Sequence, residues 1–340
     1  MKKTTIVAFL IVLILSGACT PVQSTYSCLG SERTAINNPH FQLLWSRSKI
    51  VIRPGSADTL MQGIASKAFV ITGQDLEYGG SKLLALDALS GNVLWQRDVR
   101  LPGSIITSNS QLYAGLYDKL EIVDPQTGNL VKEIRFSKVG SIYNIFATEH
   151  NLYALTNSGR WLTYNLEDGT YSLSEPFLPY TPFLIEDGIL YFKEFGTYKA
   201  KDTETQSILW EYLLNEATHV HPLITENMII VLAERGSIYG LDKSTGDLLW
   251  KLDEPVISNV ISNKSQLYFL TNDGYLKVLD INSGQEITKL EFTPASFELD
   301  SPPSGNIIGA YDIWVDSEND TLIMSFGDSC QLMAFKLAIL

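Results

Sequence analysis

The sequence lacks the motifs of several common chemistries. It contains no glycine-rich phosphate loop, no nucleophile elbow and no zinc-protease motif, and its four histidines offer no support for a catalytic triad. Basic residues are also scarce, with 25 Lys and Arg against 38 Asp and Glu, which gives a formal net charge of −13. So acidic a surface repels nucleic acid and anionic lipid head groups. We therefore expect a protein that is not an enzyme, holds no cofactor and binds no nucleic acid.

Long apolar runs are absent except at the N-terminus. Lys2 and Lys3 precede an apolar stretch of about 14 residues, shorter than the roughly 20 that a membrane-spanning helix needs. The run is typical of a signal peptide. It ends in Leu-Ser-Gly-Ala ahead of Cys19, which resembles a bacterial lipobox. The resemblance implies that residues 1–18 are removed and that Cys19 is diacylated. The alternative is an ordinary secretory signal with Cys19 incidental.

Either interpretation predicts an exported protein facing the periplasm or the cell exterior. Because the surface is acidic, we expect membrane attachment through the acyl chains and not through a basic face. Residues 19–39, rich in Thr, Ser, Pro and Asn, are predicted to be a flexible tether ahead of a domain spanning residues 40–340.

Cysteine is limited to three residues, so at most one disulfide remains once Cys19 is assigned to lipid. Cys28 and Cys330 are a candidate pair, since an exported compartment permits disulfides. Their bridge would tie the two ends of the mature chain together. Two unpaired thiols remain the alternative.

Internal repetition dominates the rest of the chain. An aspartate closes one strand, and four residues later a glycine opens the next. Successive marker aspartates are separated by 37, 78 (two units of 39), 40 and 38 residues. In each turn we expect the Asp to accept backbone N–H bonds and the Gly to adopt a left-handed conformation. The predicted turn residues are Asp87, Gly91, Asp124, Gly128, Asp202, Asp242, Gly246, Asp280 and Gly284.

Each unit of about 40 residues reads as four short antiparallel strands, the pattern of a β-propeller blade. We predict an all-β protein with seven four-stranded blades, six or eight being alternative counts. The last unit lacks its fourth strand, whereas residues 41–45 match such a strand at the other end of the chain. The N-terminal strand is therefore expected to complete the last blade and close the ring.

The pattern Ala-x-Asp-x-x-Thr/Ser-Gly-x-x-x-Trp resembles the PQQ-like (quinoprotein-type) repeat and covers nearly the whole mature chain. In that family the Trp of the fourth strand packs against a neighbouring blade. The resemblance assigns this role to Trp45, Trp95, Trp210 and Trp250. Ile134, Leu173 and Ile287 are expected to stand where the Trp is absent.

The family has two branches with different functions. Quinoprotein dehydrogenases hold their quinone on the propeller axis, and many have an adjacent-cysteine disulfide, which this sequence lacks. The other branch consists of non-catalytic lipoproteins, the best known of which belongs to the outer-membrane β-barrel assembly machinery. Our leading hypothesis is a membrane-anchored scaffold that binds another protein through a propeller face. The alternatives are a small-ligand or glycan-binding propeller and, less favoured, a dehydrogenase.

One short motif bears on metal binding. His219 and His221 alternate with Val220, so that their imidazoles would share one face of a strand. Glu216 and Glu226 are candidate third ligands by proximity alone. We favour ordinary surface histidines and expect no metal site.

Overall fold

The computed structural model describes residues 34–48, 61–64, 67–73, 80–100, 104–116, 119–136, 142–156, 158–174, 183–218, 222–233, 236–293, 312–326 and 331–338. The regular secondary structure of these ranges is β-strand, in 29 strands. Across these same ranges, no helix is long and apolar enough to cross a membrane.

Seven antiparallel sheets follow one another along the chain and confirm the predicted seven-bladed propeller. Strands are ordered from the channel outward as A, B, C and D. Blade 1 contains β3 (Met61–Ile64), β4 (Lys67–Gly73), β5 (Gly80–Asp87) and β6 (Val93–Arg100). Blade 2 contains β7 (Ser104–Ser108), β8 (Gln111–Gly115), β9 (Lys119–Val123) and β10 (Leu130–Arg135). Blade 3 contains β11 (Ile142–Ala147), β12 (Asn151–Thr156), β13 (Trp161–Asn165) and β14 (Tyr171–Leu173).

The second half of the ring repeats the same order. Blade 4 contains β15 (Leu184–Glu186), β16 (Ile189–Glu194), β17 (Thr197–Asp202) and β18 (Ile208–Leu213). Blade 5 contains β19 (Leu223–Ile224), β20 (Met228–Leu232), β21 (Ser237–Asp242) and β22 (Leu248–Asp253). Blade 6 contains β23 (Ile261–Asn263), β24 (Gln266–Leu270), β25 (Tyr275–Asp280) and β26 (Glu286–Thr293).

Blade 7 is built from both ends of the chain, as predicted. Its A, B and C strands are β27 (Ile313–Asp316), β28 (Thr321–Phe326) and β29 (Gln331–Leu337), and its D strand is β2 (Phe41–Arg47). Phe41 lies opposite Leu337 in this antiparallel pair. The N-terminal strand therefore closes the ring.

A fifth strand on blade 6 shortens the predicted tether. In β1 (Thr34–Ala35), Thr34 lies opposite Thr293 and Ala35 opposite Phe292, along the outer edge of β26. The Ile36 amide and the Asn38 side chain then donate to the carbonyls of Glu291 and Lys289. Thr34–Ala35 and Ile36, within the segment predicted to be a tether, thus satisfy backbone groups along the otherwise unpaired edge of β26.

Burial differs between inner and outer strands. All five residues of β20 are buried, because its two sides are covered by neighbouring blades, whereas β22 alternates and leaves its outward side chains in solvent. Most D strands carry a β-bulge one residue before the Trp position, as between Gly240 and Leu241 opposite β22. The bulge explains why two consecutive apolar residues precede the Trp.

The turns divide between two faces of the disc. A–B and C–D turns share one face, here called the turn face, where the Lys243 amide donates to the Asn227 carbonyl at 3.0 Å. B–C turns and D–A connections share the other, the loop face, where the Leu214 amide donates to the Gly196 carbonyl at 2.8 Å.

Candidate functional site at the seam between blades 3 and 4

The C–D turns of five blades are organised by the predicted aspartates. In blade 5 the Asp242 carboxylate accepts the backbone N–H groups of Ser244 at 2.8 Å and Thr245 at 2.9 Å. The Gly246 amide donates to the Asp242 carbonyl at 2.9 Å, with Gly246 at φ +75°. The other turn glycines are also left-handed: Gly91, Gly128 and Gly284. The remaining turn carboxylates accept backbone N–H groups in the same way: Asp87, Asp124, Asp202 and Asp280.

Each of the four tryptophans predicted for the D strands docks on the C–D turn of the following blade. The indole N–H donates to the carbonyl of the residue after the turn Asp, at 2.9–3.0 Å. The pairs are Trp45 with Ala88, Trp95 with Pro125, Trp210 with Lys243 and Trp250 with Ile281. A Cβ on the turn glycine would lie 2.5–2.8 Å from the indole ring, so the glycine is required for contact as well as for its φ.

The register corrects two of the three positions expected to replace Trp. Counting from the turn Asp, the equivalent residue in blade 2 is Lys132, not Ile134, and in blade 6 it is Thr288, not Ile287. Blades 2 and 6 have the same bulge as the Trp blades, so the spacing of eight residues from the turn Asp to the Trp position holds in them too. In blade 3 the same count gives Leu173, as expected, but without a bulge Leu173 pairs with Leu162, one residue further from the turn than the partner of a Trp.

The seam between blades 3 and 4 departs furthest from the repeat. The ladder of β13 with β14 has no bulge, and β14 spans three residues. The next turn, in blade 4, carries Gln206 at φ +63° in place of glycine. Loss of the Trp in one blade thus coincides with loss of the glycine in the next.

A cleft of about 810 Å³ opens on the turn face of this seam. Its aromatic wall is formed by Phe146, Tyr153 and Trp161 of blade 3. Phe146 stacks on Tyr153 with ring centroids 5.0 Å apart. Blade 4 forms the facing wall, which continues to the A strand of blade 5.

The rim of the cleft is acidic. Glu149, Glu186 and Asp187 line it. Lys243 lies 2.5 Å from Glu186, and His150 lies 3.0 Å from Glu167, so these two bases are already paired.

The negative charge at the rim affects the pKa of the buried Tyr191 hydroxyl. Its hydroxyl has no hydrogen-bond partner among the described residues. Burial, together with the charges of Glu186 and Asp187, raises the pKa of Tyr191 to about 12.

An exposed aromatic residue marks the opposite face of blade 4. Phe195 is 96% exposed and has φ +45° at the two-residue turn between β16 and β17. Leu213, at the same end of the blade, is 68% exposed. The aligned turn of blade 6 places Asn272 and Asp273 before its glycine, residues that favour turns.

Of the four residues considered as metal ligands, the structure describes the two glutamates. His219 and His221 lie outside the described residues, as do Cys19, Cys28 and Cys330. Glu216 accepts a hydrogen bond from the Tyr239 hydroxyl at 2.8 Å on the loop face, whereas Glu226 lies in an A–B turn on the turn face. Within the described ranges no group of three or more His, Cys, Asp or Glu could hold a metal ion.

Sequence reasoning missed both the cleft and Phe195. Two signals were available: the turn glycine is replaced by Gln206, and a bulky residue precedes Gly196 where a two-residue hairpin turn favours Asn or Asp. The aromatic wall gave none, because Phe146, Tyr153 and Trp161 fit ordinary strand patterns.

Fold and repeat together define a seven-bladed propeller whose repeats resemble the PQQ type. The chain is distantly similar to the assembly factor BamB. A family model described as outer membrane protein assembly factor BamB matches residues 177–300. BamB of Francisella salina is 31% identical over 67 residues, which are 20% of this chain and 13% of that protein.

A segment of 77 residues is 40% identical to the human serine/threonine-protein kinase/endoribonuclease IRE2, over 22% of this chain and 8% of that protein. The chain therefore spans a small part of these curated relatives. Among solved structures, BamB from Moraxella catarrhalis matches with a TM-score of 0.54 at 15% identity, covering 87% of this chain and all of the other. KlHsv2 with loop 6CD replaced by a Gly-Ser linker matches with a TM-score of 0.57 at 12% identity, covering 85% of this chain and 94% of the other. At these identities the structures support the fold alone.

Proposed function

We propose that this chain is a non-catalytic, membrane-anchored extracytoplasmic propeller that binds another protein through the loop face of blade 4. The exposed, left-handed Phe195 is the observation that carries the proposal. The similarity to an outer membrane protein assembly factor supports a role in protein interaction outside the cytoplasm.

The left-handed conformation of Phe195 destabilises the free protein. A left-handed conformation costs a non-glycine residue about 1–2 kcal/mol, and a bulky side chain is an outlier there. Strain of this kind persists where surrounding structure imposes it and clusters at functional positions. An aromatic side chain that projects from a rigid hairpin suits the central anchor of a protein interface, where such residues carry much of the binding energy.

The N-terminal segment supports this choice of face. Thr34 pairs with Thr293, at the loop-face end of β26. Thr34 is 15 positions after Cys19, a reach of at most roughly 50 Å when fully extended. With Cys19 acylated, the chain approaches the disc from the side that carries Phe195. We therefore propose a partner at the same membrane.

Photo-crosslinking from position 195 tests the proposal. Replacing Phe195 with p-benzoylphenylalanine keeps an aromatic ring, and we expect one dominant protein adduct in cells. Phe195→Asn should reduce co-purification of that protein at least ten-fold. Leu249→Ser, which removes a half-exposed leucine of β22, is the matched control and should leave it unchanged.

Two outcomes would overturn the assignment. Equal recovery of the adduct protein with Phe195→Asn and Leu249→Ser would remove Phe195 from the interface. If Phe195 instead inserts into lipid, Cys19→Ser protein should float with phosphatidylethanolamine vesicles and Phe195→Asn should abolish flotation. Fractionation of the Cys19→Ser variant separately tests the anchor, with release from the membrane expected.

A further inference from the structure

The cleft between blades 3 and 4 is independent of Phe195, since it opens on the turn face. Its volume of about 810 Å³ lies in the range of small-molecule sites, roughly 300–1,000 Å³. A cavity of this size can also receive one long side chain of a bound peptide.

The aromatic wall is held in place by packing. Trp161 lies against the fully buried Phe183, with ring centroids 5.6 Å apart, and Phe183 meets Phe146 edge to face at 5.2 Å. With Tyr153 stacked on Phe146, the three lining rings are preorganised. Aromatic faces attract cations through their quadrupoles.

The rim supplies charge of the matching sign. Asp187 and Glu149 are exposed at the mouth, and no described side chain pairs with either carboxylate. The Lys243 ammonium near the rim is paired with Glu186, and the His150 ring nitrogen contacts Glu167. The mouth therefore has negative charge that the described side chains do not neutralise.

We propose that this cleft binds an organic cation, an alkylammonium or guanidinium group. Its charge would lie at Asp187 and Glu149 and its aliphatic stem along the aromatic wall. An arginine or lysine side chain of a bound peptide and a free amine share this chemistry, and the experiment separates them.

Binding of three probes to the full chain in detergent micelles, measured by titration calorimetry at low salt, tests the proposal. The probes are agmatine, acetyl-Gly-Arg-Gly-amide and the same peptide with citrulline, the neutral counterpart of arginine. We expect the arginine peptide to bind at least ten-fold more tightly than the citrulline peptide. Comparable binding of agmatine would indicate a free amine, and preference for the peptide would indicate a peptide-borne cation.

Matched variants locate the effect. Asp187→Asn keeps the turn, because Asn tolerates the left-handed φ of +48° at this position. Combined with Glu149→Gln it should weaken the arginine peptide about ten-fold. Glu204→Gln, an exposed acid of the same face outside the cleft, should leave affinity unchanged. Phe195→Asn should also have no effect, so failure of the proposed interface and failure of the cleft are distinguishable. Equal affinity for the arginine and citrulline peptides, or an unaffected double variant, would overturn the proposal.

Discussion

The seams between blades fall into two kinds. In four of them, a Trp of one blade covers a turn glycine of the next and donates to the turn backbone: blades 7–1, 1–2, 4–5 and 5–6. The other three lack the Trp. In seam 2–3 Lys132 reaches the turn glycine, Gly169. In seam 6–7 there is no C–D turn to cover, because β29 is paired with the distant β2. Seam 3–4 has lost both partners.

The difference shows that the repeat preserves a contact between neighbouring blades, that of the Trp of one blade with the turn glycine of the next. Trp, turn glycine and a small residue opposite the Trp occur together: the small residues are Ala334, Ala85, Ala200 and Gly240. Where the Trp is absent, larger residues stand at this position of the third strand: Ile122, Thr163 and Val278. The seam that lost Trp and glycine together also carries the cleft, which links relaxed packing to a candidate site.

Removing a docked Trp should have the largest effect. Trp250→Ala deletes a side chain that is 9% exposed and its bond to the Ile281 carbonyl, at an expected cost of about 3–5 kcal/mol in the free energy of unfolding. Thr288→Ala, at the same position of blade 6, should change it by less than about 0.5 kcal/mol. Urea denaturation measures both, and similar losses would contradict the distinction between seams.

The turn glycines should show the same division. Gly246→Ala places a Cβ 2.5 Å from the Trp210 ring at φ +75°, and we expect a loss of about 2–4 kcal/mol. Gly188 has nearly the same φ, +76°, but an added Cβ would lie 3.7 Å from Thr203. Gly188→Ala should therefore cost about 1–2 kcal/mol, the backbone contribution alone. Thermal unfolding of the two variants separates the steric clash with Trp210 from the cost of the left-handed backbone. Equal shifts in Tm would show that the Trp210 ring moves to accommodate the added Cβ.

Much of the architecture could be predicted from the sequence. The spacing of Asp87, Asp124, Asp202, Asp242 and Asp280 is set by the length of one blade, so blade number and ring closure follow from counting. The Trp partners follow from the repeat as well. The failures arose where the repeat has lost its markers: without a Trp to fix the register, Ile134 and Ile287 were placed at the wrong distance from the turn Asp. The β1 pairing depends on a strand edge more than 250 residues away.

The candidate sites could not be predicted, for a different reason. Phe146, Tyr153 and Trp161 lie in separate strands, and only the propeller brings them to one wall with Asp187 of the next blade. Phe195 reads as one more apolar residue in a strand, because its exposure and positive φ are tertiary properties.

Restoring glycine in the irregular seam should stabilise the protein modestly. Gln206 has φ +63°, and no Trp covers it. Gln206→Gly removes this strain and the hydrogen bond from its side chain to the Thr203 carbonyl, for an expected net gain of up to about 1 kcal/mol. The same gain cannot arise in the docked seams, which already have glycine. Chemical denaturation gives the sign, and a loss of stability would mean that the side-chain bond outweighs the strain.

The smallest expected effect is the difference in acid sensitivity between the turns that have Asp and the blade 3 turn, which has Asn165. Hydrogen bonds from the Ser244 side chain and from the Thr245 and Ser244 backbone lower the pKa of Asp242 below its usual 3.8, and the pKa values of Asp202 and Asp280 are lowered similarly. A folded-state pKa below the unfolded value contributes stability above the usual pKa, and this contribution is lost as pH falls from about 3.8 through the lowered value. Blade 3 has Asn165 in this place, whose side-chain oxygen accepts the N–H groups of Glu167 at 2.8 Å and Asp168 at 3.0 Å and does not titrate. Asp242→Asn should therefore flatten the decline of Tm below pH 4, and Asn165→Asp should steepen it. Parallel Tm curves for both variants and the unmodified chain would show that the turn carboxylates contribute nothing to the acid limb.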